Sequence, residues 1–202
     1  MPILINDGAD PESWYAAHGT GISASYISKA MTPSGRRDFI ANYLNPPPLD
    51  SADSTRMGMY FEYGRRREAE FIGEWIETRY GIAPNVALWG HKGNPRFLAT
   101  PDGRDPILGE IAEFKTSTTV LPKTIKREHR DQMTWQCLVM EQERCLYVHE
   151  QHDNFTPVNM PIAQWFYPDP ERQQEMVSVA TSLLFEIDMA RENLRATGMM
   201  GK

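Results

Sequence analysis

The sequence predicts a mixed α/β domain in which helices pack around a central sheet. Strand-like runs separated by Gly, Pro and Asn turns are confined to the middle of the chain. Segments with helical spacing lie before, between and after them. At 202 residues the chain suits one domain with a substantial core and is short for two. Three parts are expected within it: an N-terminal helical part over 1–55, a core over about 56–152 and a C-terminal helix over about 169–197.

Taken in order, short helices are expected around "PESWYAAH", "SASYISKAM" and "GRRDFIANYL". The proline-rich "NPPPLDSADST" then forces a surface loop. "MGMYFEYGRRREAEFIGEWIETRYG" reads as one strong helix stopped by Gly81. "NVALWGH", "RFLATPD" and "GEIAEFKTS" read as strands, "EHRDQMTWQCLVMEQE" as a helix and "RCLYVHEQ" as a strand. The last helix opens on Asp169 as cap and Pro170 in the first turn. Its stripe of Met176, Ala180, Leu183, Leu184, Ile187 and Leu194 is expected to pack on the sheet.

Composition removes several classes. Hydrophobic residues at 41% and charged residues at 24% exclude extensive disorder. No run approaches the roughly 18 apolar residues that span a bilayer, and "MPILINDGADPES" lacks the features of a secretory signal, so a cytoplasmic location is expected. Cys137 and Cys145 lie inside apolar segments and read as reduced, buried thiols, too few for a four-cysteine iron–sulfur cluster. The net charge of −6 argues against a uniformly basic surface but leaves room for local patches at "GRRREAE" and "LPKTIKREHR".

The chemistry concentrates in "FLATPDGRDPILGEIAEFKTS", residues 97–117. Asp102 ends a strand at a turn, and Glu113 follows 11 residues later, enough to return along an adjacent strand. Lys115 shares a face with Glu113, while Ala112 and Phe114 face the other way. Two carboxylates with backbone and water oxygens suit Mg²⁺, a hard cation that keeps several waters. A lysine beside them can act on an attacking water or offset charge on a phosphate. On the preceding helix, at 100° per residue, Phe61, Ile72 and Trp75 fall within about 40° of Glu68. Glu70, Glu74 and Glu77 point away, so Glu68 is the inward carboxylate and needs a partner, either a neighbouring arginine or a site.

These residues have the pattern of the PD-(D/E)xK nuclease superfamily, "TPD" then "EFK" preceded by a helix with an inward Glu. The chain resembles more closely its phage lambda exonuclease and YqaJ-type viral recombinase group. The resemblance rests on Trp14 with "GISAS", "EYGRRREAEF", "ATPDG", "EFK" and "DQMTWQCLVM" with "CLYV", in that order from about residue 14 to 148. It implies a restriction-endonuclease-like core, with a central mixed sheet flanked by helices. It also implies Asp102, Glu113 and the Phe114 carbonyl as metal ligands, Glu68 completing the metal site and Lys115 acting on the attacking water. Ser25 and Thr100 match positions that bind a DNA 5′-phosphate. His18 stands where lambda exonuclease has an Arg, which weakens that pocket because neutral His is a poorer phosphate partner. The family's helix carries one Gln facing the site, and Gln132 and Gln136 both qualify because they lie one turn apart.

Lys123, Lys126, Arg127, His129 and Arg130 precede that helix and are candidate contacts to the DNA backbone. Arg65, Arg66 and Arg67 flank Glu68 and either do the same or pair with glutamates. "HEQHD" at 149–153 could offer two histidines to zinc, but reads better as a polar strand end.

The expectation is a Mg²⁺-dependent exonuclease, with Mn²⁺ able to substitute, that digests linear duplex DNA from 5′ ends and leaves 3′ single-stranded tails for recombination. The resemblance further implies a homotrimeric ring, a single-strand annealing protein as partner, and phage or prophage origin in a bacterial host. Two alternatives are an endonuclease of the same superfamily and a non-cleaving DNA-end adaptor. The adaptor is expected to lack an Asp, Glu or Lys of the motif, and all are present here.

Overall fold

The computed structural model describes residues 1–45, 62–64, 66–68, 72–119 and 124–196. Its elements are β1 (Ile3–Asn6), α1 (Pro11–His18), β2 (Ile22–Ser23), α2 (Ala24–Ala30) and α3 (Pro33–Leu44). Helical residues 62–64 and 66–68 follow, then a π-helical turn (Ile72–Ile76) running into α4 (Glu77–Tyr80). Next come β3 (Ala83–Pro84), β4 (Leu88–His91), β5 (Asn94–Ala99), β6 (Gly103–Arg104) and β7 (Ile111–Ser117). The chain closes with α5 (Arg127–Met140), β8 (Cys145–Asp153), β9 (Thr156–Pro157), β10 (Ile162–Phe166) and α6 (Pro170–Ala196).

The strands form two sheets where one was expected. One has the order β1-β4-β5-β2; the other runs β10-β8-β7-β6-β3, with β9 on β8. β5 belongs to the first sheet and β6 to the second, so the chain crosses between them at Thr100–Asp102. β7 and β8 are parallel, joined through α5, and β6 returns antiparallel to β7. Strands β1 and β10 complete the sheet edges and carry no strand expectation from the sequence, because both are short or half-exposed.

The local signals explain most boundaries. Asp10 caps α1 through a 3.0 Å bond from the Ser13 amide, and Thr32 with Pro33 opens α3 earlier than expected. Gly81 ends α4 at φ 72°, the left-handed region that costs glycine little. The π turn corrects the expectation of one uninterrupted α-helix. An extra residue in a turn rotates the face that follows, and Ile76 is fully buried where Trp75 is only partly so. Glu74 and Glu77 are exposed as expected, while Phe61, Glu70, the Ile72 side chain and the proline-rich segment after Asn45 lie outside the described residues.

Asp169 caps α6 through the Glu171 amide at 3.0 Å. Its Met176, Ala180, Leu183, Leu184 and Ile187 stripe is buried but packs mainly on α2, α3 and α5, and the helix meets the sheet through the Arg96–Asp188 ion pair at 2.7 Å. Cys137 and Cys145 are free and buried, and burial pushes both thiols upward, Cys137 to about 12. Among the described residues no helix is long and apolar enough to cross a membrane.

Candidate active site

The β6–β7 register places Gly103 opposite Ala112 and Arg104 opposite Ile111, so Asp102 comes beside Glu113. The Phe114 amide donates to Asp102 Oδ2 at 2.6 Å, a bond that ties the turn residue directly to β7. Asn85 holds the same backbone: its amide donates to the Asp102 carbonyl at 2.9 Å and its Nδ2 to the Pro101 carbonyl at 2.8 Å. Nothing in the sequence spacing marks Asn85, because its role depends on the β3–β6 pairing.

Strand alternation then sorts β7. Glu113 and Lys115 share one face and are ion-paired, while Ala112 and Phe114 are buried on the other with Ile76, Ile82, Leu146 and Val148. Glu113 is fully buried, and its second oxygen accepts from Gln136 Nε2 at 2.6 Å. Gln136 Oε1 is buried with no hydrogen-bond partner, which leaves an acceptor beside the carboxylates. Helix α5 is fixed in this orientation by Trp135 Nε1 on the Leu98 carbonyl at 3.1 Å and by Asp131, which accepts from Arg172 at 2.8 Å and from Ser28 at 3.1 Å.

In front of these groups opens a cleft of about 570 Å³ whose lining includes Trp14, His18, Ser25, Glu68, Thr100, Asp102 and Gln132. Both glutamines therefore address the site from one helix face, Gln136 holding Glu113 and Gln132 facing the open cleft. His18, Ser25 and Thr100 come together here as well. The Thr100 hydroxyl is buried with no hydrogen-bond partner, and Ser25 Oγ lies 3.1 Å from Ser23 Oγ. His18 stacks on Trp14 at 4.8 Å and 17°, and burial lowers its pKa, which keeps it neutral near pH 7.

Charge is unevenly distributed. Burial, and then the charges of Glu113 and Glu68, hold the Asp102 carboxyl well above the usual range, against the pull of Lys115 and the Phe114 amide. At Lys115 burial acts downward, but attraction from Glu113, Asp102 and Glu68 outweighs it and raises the pKa, so the ammonium is retained. Among the described residues no group of three or more His, Cys, Asp or Glu side chains is arranged to hold a metal ion. Asp102 and Glu113 still supply a two-carboxylate donor set with a repelled, protonatable member, which is the charge pattern a divalent cation relieves.

The other candidates separate. Lys126, Arg127 and Arg130 are exposed at the start of α5, and Arg127 lies 3.8 Å from Asp131. Arg65 and Lys123 lie outside the described residues. His129 departs from the basic surface expected of it: Nδ1 meets the Tyr147 hydroxyl at 2.9 Å, and burial with the Lys115 charge pushes its pKa to about 4. Arg67 is ion-paired with Glu150, with Nη2 2.6 Å from Oε1. "HEQHD" is the polar end of β8 as expected, and its His149, Glu150 and His152 are buried. The Arg67–Glu150 pair escaped the sequence because its partners are 83 residues apart.

No protein-family model matches the sequence, and no curated protein matches it either. Solved structures do. An alkaline exonuclease from Laribacter hongkongensis (LHK-Exo) superposes with a TM-score of 0.72 at 21% identity, covering 93% of this chain and 98% of that one. The same enzyme in complex with dAMP gives 0.68 at 20%, over 93% and 98%. A phage-related exonuclease from Haemophilus somnus 129PT gives 0.59 at 12%, over 85% and 96%. The chain has the fold of these exonucleases. It is a restriction-endonuclease-like core of mixed α/β type, and it spans nearly the whole of each of these structures.

Proposed function

We propose that this protein is a metal-dependent deoxyribonuclease that digests linear double-stranded DNA as an exonuclease, from 5′ to 3′, with Mg²⁺ as the working ion and Mn²⁺ as a substitute. The observation that carries the reading is the network Asp102–Phe114 amide, Glu113–Lys115 and Glu113–Gln136, set beside a cleft that also contains Glu68 and Thr100. The shared fold with three exonuclease structures supports it independently.

Asp102, Glu113 and the Phe114 carbonyl would hold the cation, with Glu68 completing the site. When bound, it would supply Lewis-acid polarisation of the scissile phosphate and a lowered pKa for an attacking water. The side chains supply the rest. Gln136 fixes one Glu113 oxygen, so the carboxylate presents a single orientation. Lys115, retained as an ammonium, donates toward the attacking water or the charge that develops on the phosphate. The Thr100 and Ser25 hydroxyls donate to the terminal 5′-phosphate, and neutral His18 adds only a weak contact. Lys126, Arg127 and Arg130 meet the duplex backbone on the exposed start of α5.

Following the family resemblance, the working form is a homotrimeric ring on a DNA end, the product is a 3′ single-stranded tail, and a single-strand annealing protein receives it for recombination in a phage-infected bacterial cytoplasm. The decisive experiment is a Mg²⁺ time course on linear duplexes labelled at the 3′ end, with 5′-phosphate or 5′-hydroxyl termini, beside a closed circular plasmid. Loss from 5′ ends with the circle intact is expected. Nicking or linearisation of the circle would favour an endonuclease, and DNA binding without shortening of the 3′-labelled strands would favour a non-cleaving adaptor.

A further inference from the structure

We propose that Glu150 is a positioning residue that sets Glu68 in the metal site without touching it, an inference that rests on the nuclease reading above. Glu150 lies on β8 opposite Thr116 of β7 and is fully buried. Its carboxylate accepts from Arg67 in a fork, Nε at 3.0 Å on Oε2 and Nη2 at 2.6 Å on Oε1, and from the Tyr63 hydroxyl at 3.0 Å. Both donors belong to the helical residues that carry Glu68, and Arg67 is its immediate neighbour.

The geometry makes this an anchor and not a second site. Along the parallel β7–β8 pair, Glu113 stands opposite Tyr147 and Thr116 opposite Glu150. Three residues of strand, about 10 Å, thus separate the clamp from the Glu113 backbone. Glu150 is absent from the cleft lining, whereas Glu68 is part of it. Gly64 sits in the same run, and a Cβ there would stand 3.7 Å from Thr116 Oγ1 and 3.8 Å from Glu68 Oε1, so the helix lies close over β7 at the level where Glu68 approaches. Tyr63 also packs against the rings of His152, at 4.6 Å, and Phe155, at 5.7 Å. Burial and the neighbouring Glu150 raise the Tyr63 hydroxyl to about 12, so it stays a donor. A forked guanidinium pair fixes direction as well as distance, and with two anchor points on one short helical run the angle at which Glu68 enters the cleft is set.

The test is equilibrium binding of Mn²⁺ alone, by titration calorimetry, to the full chain and to Glu150→Gln, Glu68→Gln and the double variant. Glu150→Gln keeps the shape and an acceptor for Tyr63 but removes the charge facing Arg67. It is expected to weaken Mn²⁺ binding by about 10- to 100-fold, the usual cost of losing an outer partner of a metal site. In the Glu68→Gln background the same change is expected to add nothing, because the effect runs through Glu68. Equal weakening in both backgrounds, or none in either, would overturn the proposal. A wild-type chain that binds no Mn²⁺ would overturn the metal site itself, and with it the clamp. Arg67→Lys breaks the fork from the other side while keeping the charge, and must reproduce the loss if Glu150→Gln does not fold, as judged by circular dichroism.

Discussion

Two carboxylate clusters lie three residues apart along the same pair of parallel strands, and they are solved in opposite ways. At Glu150 the buried charge meets a forked arginine and a tyrosine hydroxyl. At Asp102 burial and the neighbouring charges of Glu113 and Glu68, opposed by Lys115, push the carboxyl well above the ordinary carboxylate value. A matched buried carboxylate is a structural element; a repelled one beside a cleft waits for a cation. The contrast distinguishes a fastening from a site where sequence composition alone does not.

The largest effect that can break this comparison is on chemistry. Asp102→Asn keeps the size of the side chain but removes a charged donor, and is expected to lower the cleavage rate by about 10³-fold or more, on the scale of losing a preorganised electrostatic group. Glu150→Gln is expected to retain measurable cleavage at saturating Mg²⁺, and equal losses in the two variants would erase the distinction. Gln136→Leu, which frees one Glu113 oxygen, is expected to cost about 10- to 100-fold in metal-dependent activity. Gln132→Leu, facing the open cleft, should cost less, and single-turnover rates compare the two.

Stability gives effects of opposite sign. Glu150→Ala strands Arg67 and Tyr63 against the sheet and should destabilise by about 3 kcal/mol, a fall in Tm of roughly 6–12 °C for a chain of this size. Asp102→Asn should instead stabilise the metal-free chain near pH 7. The sign follows from the raised pKa: the folded state keeps a proton that the unfolded state has already lost. Ionisation therefore costs stability, progressively, as pH rises from the ordinary carboxylate value of 3.8 through the folded value. Urea unfolding in EDTA across pH 4–8 would show the gap between wild type and variant opening with pH, and a constant or inverted gap would contradict the repulsion at Asp102.

The sequence reads well wherever the cause is local. Strand alternation separated Glu113 and Lys115 from Ala112 and Phe114, and the 11-residue return brought Asp102 beside Glu113. Capping chemistry placed the start of α6. What failed to read is non-local or depends on an irregular turn. The π turn before α4 moved the buried position to Ile76, and the α6 stripe packs mainly on helices α2, α3 and α5. The polar end of β8 at "HEQHD" was legible as a strand, but its partner Arg67 on Glu150, 83 residues away, was not. His129, basic by type, turned inward to Tyr147 and lost its charge. Asn85 and the choice between Gln132 and Gln136 depend on pairings that no spacing encodes.

The central claim is that Asp102 and Glu113 hold the cation that drives DNA hydrolysis. Its most direct test is digestion of a 5′-end-labelled linear duplex in Mg²⁺, measured for the wild-type chain, for the wild-type chain in EDTA and for Asp102→Asn. Steady loss of label in the first, and none above background in the other two, is the expected result. Cleavage that survives EDTA or the substitution would contradict the metal site and the reading built on it.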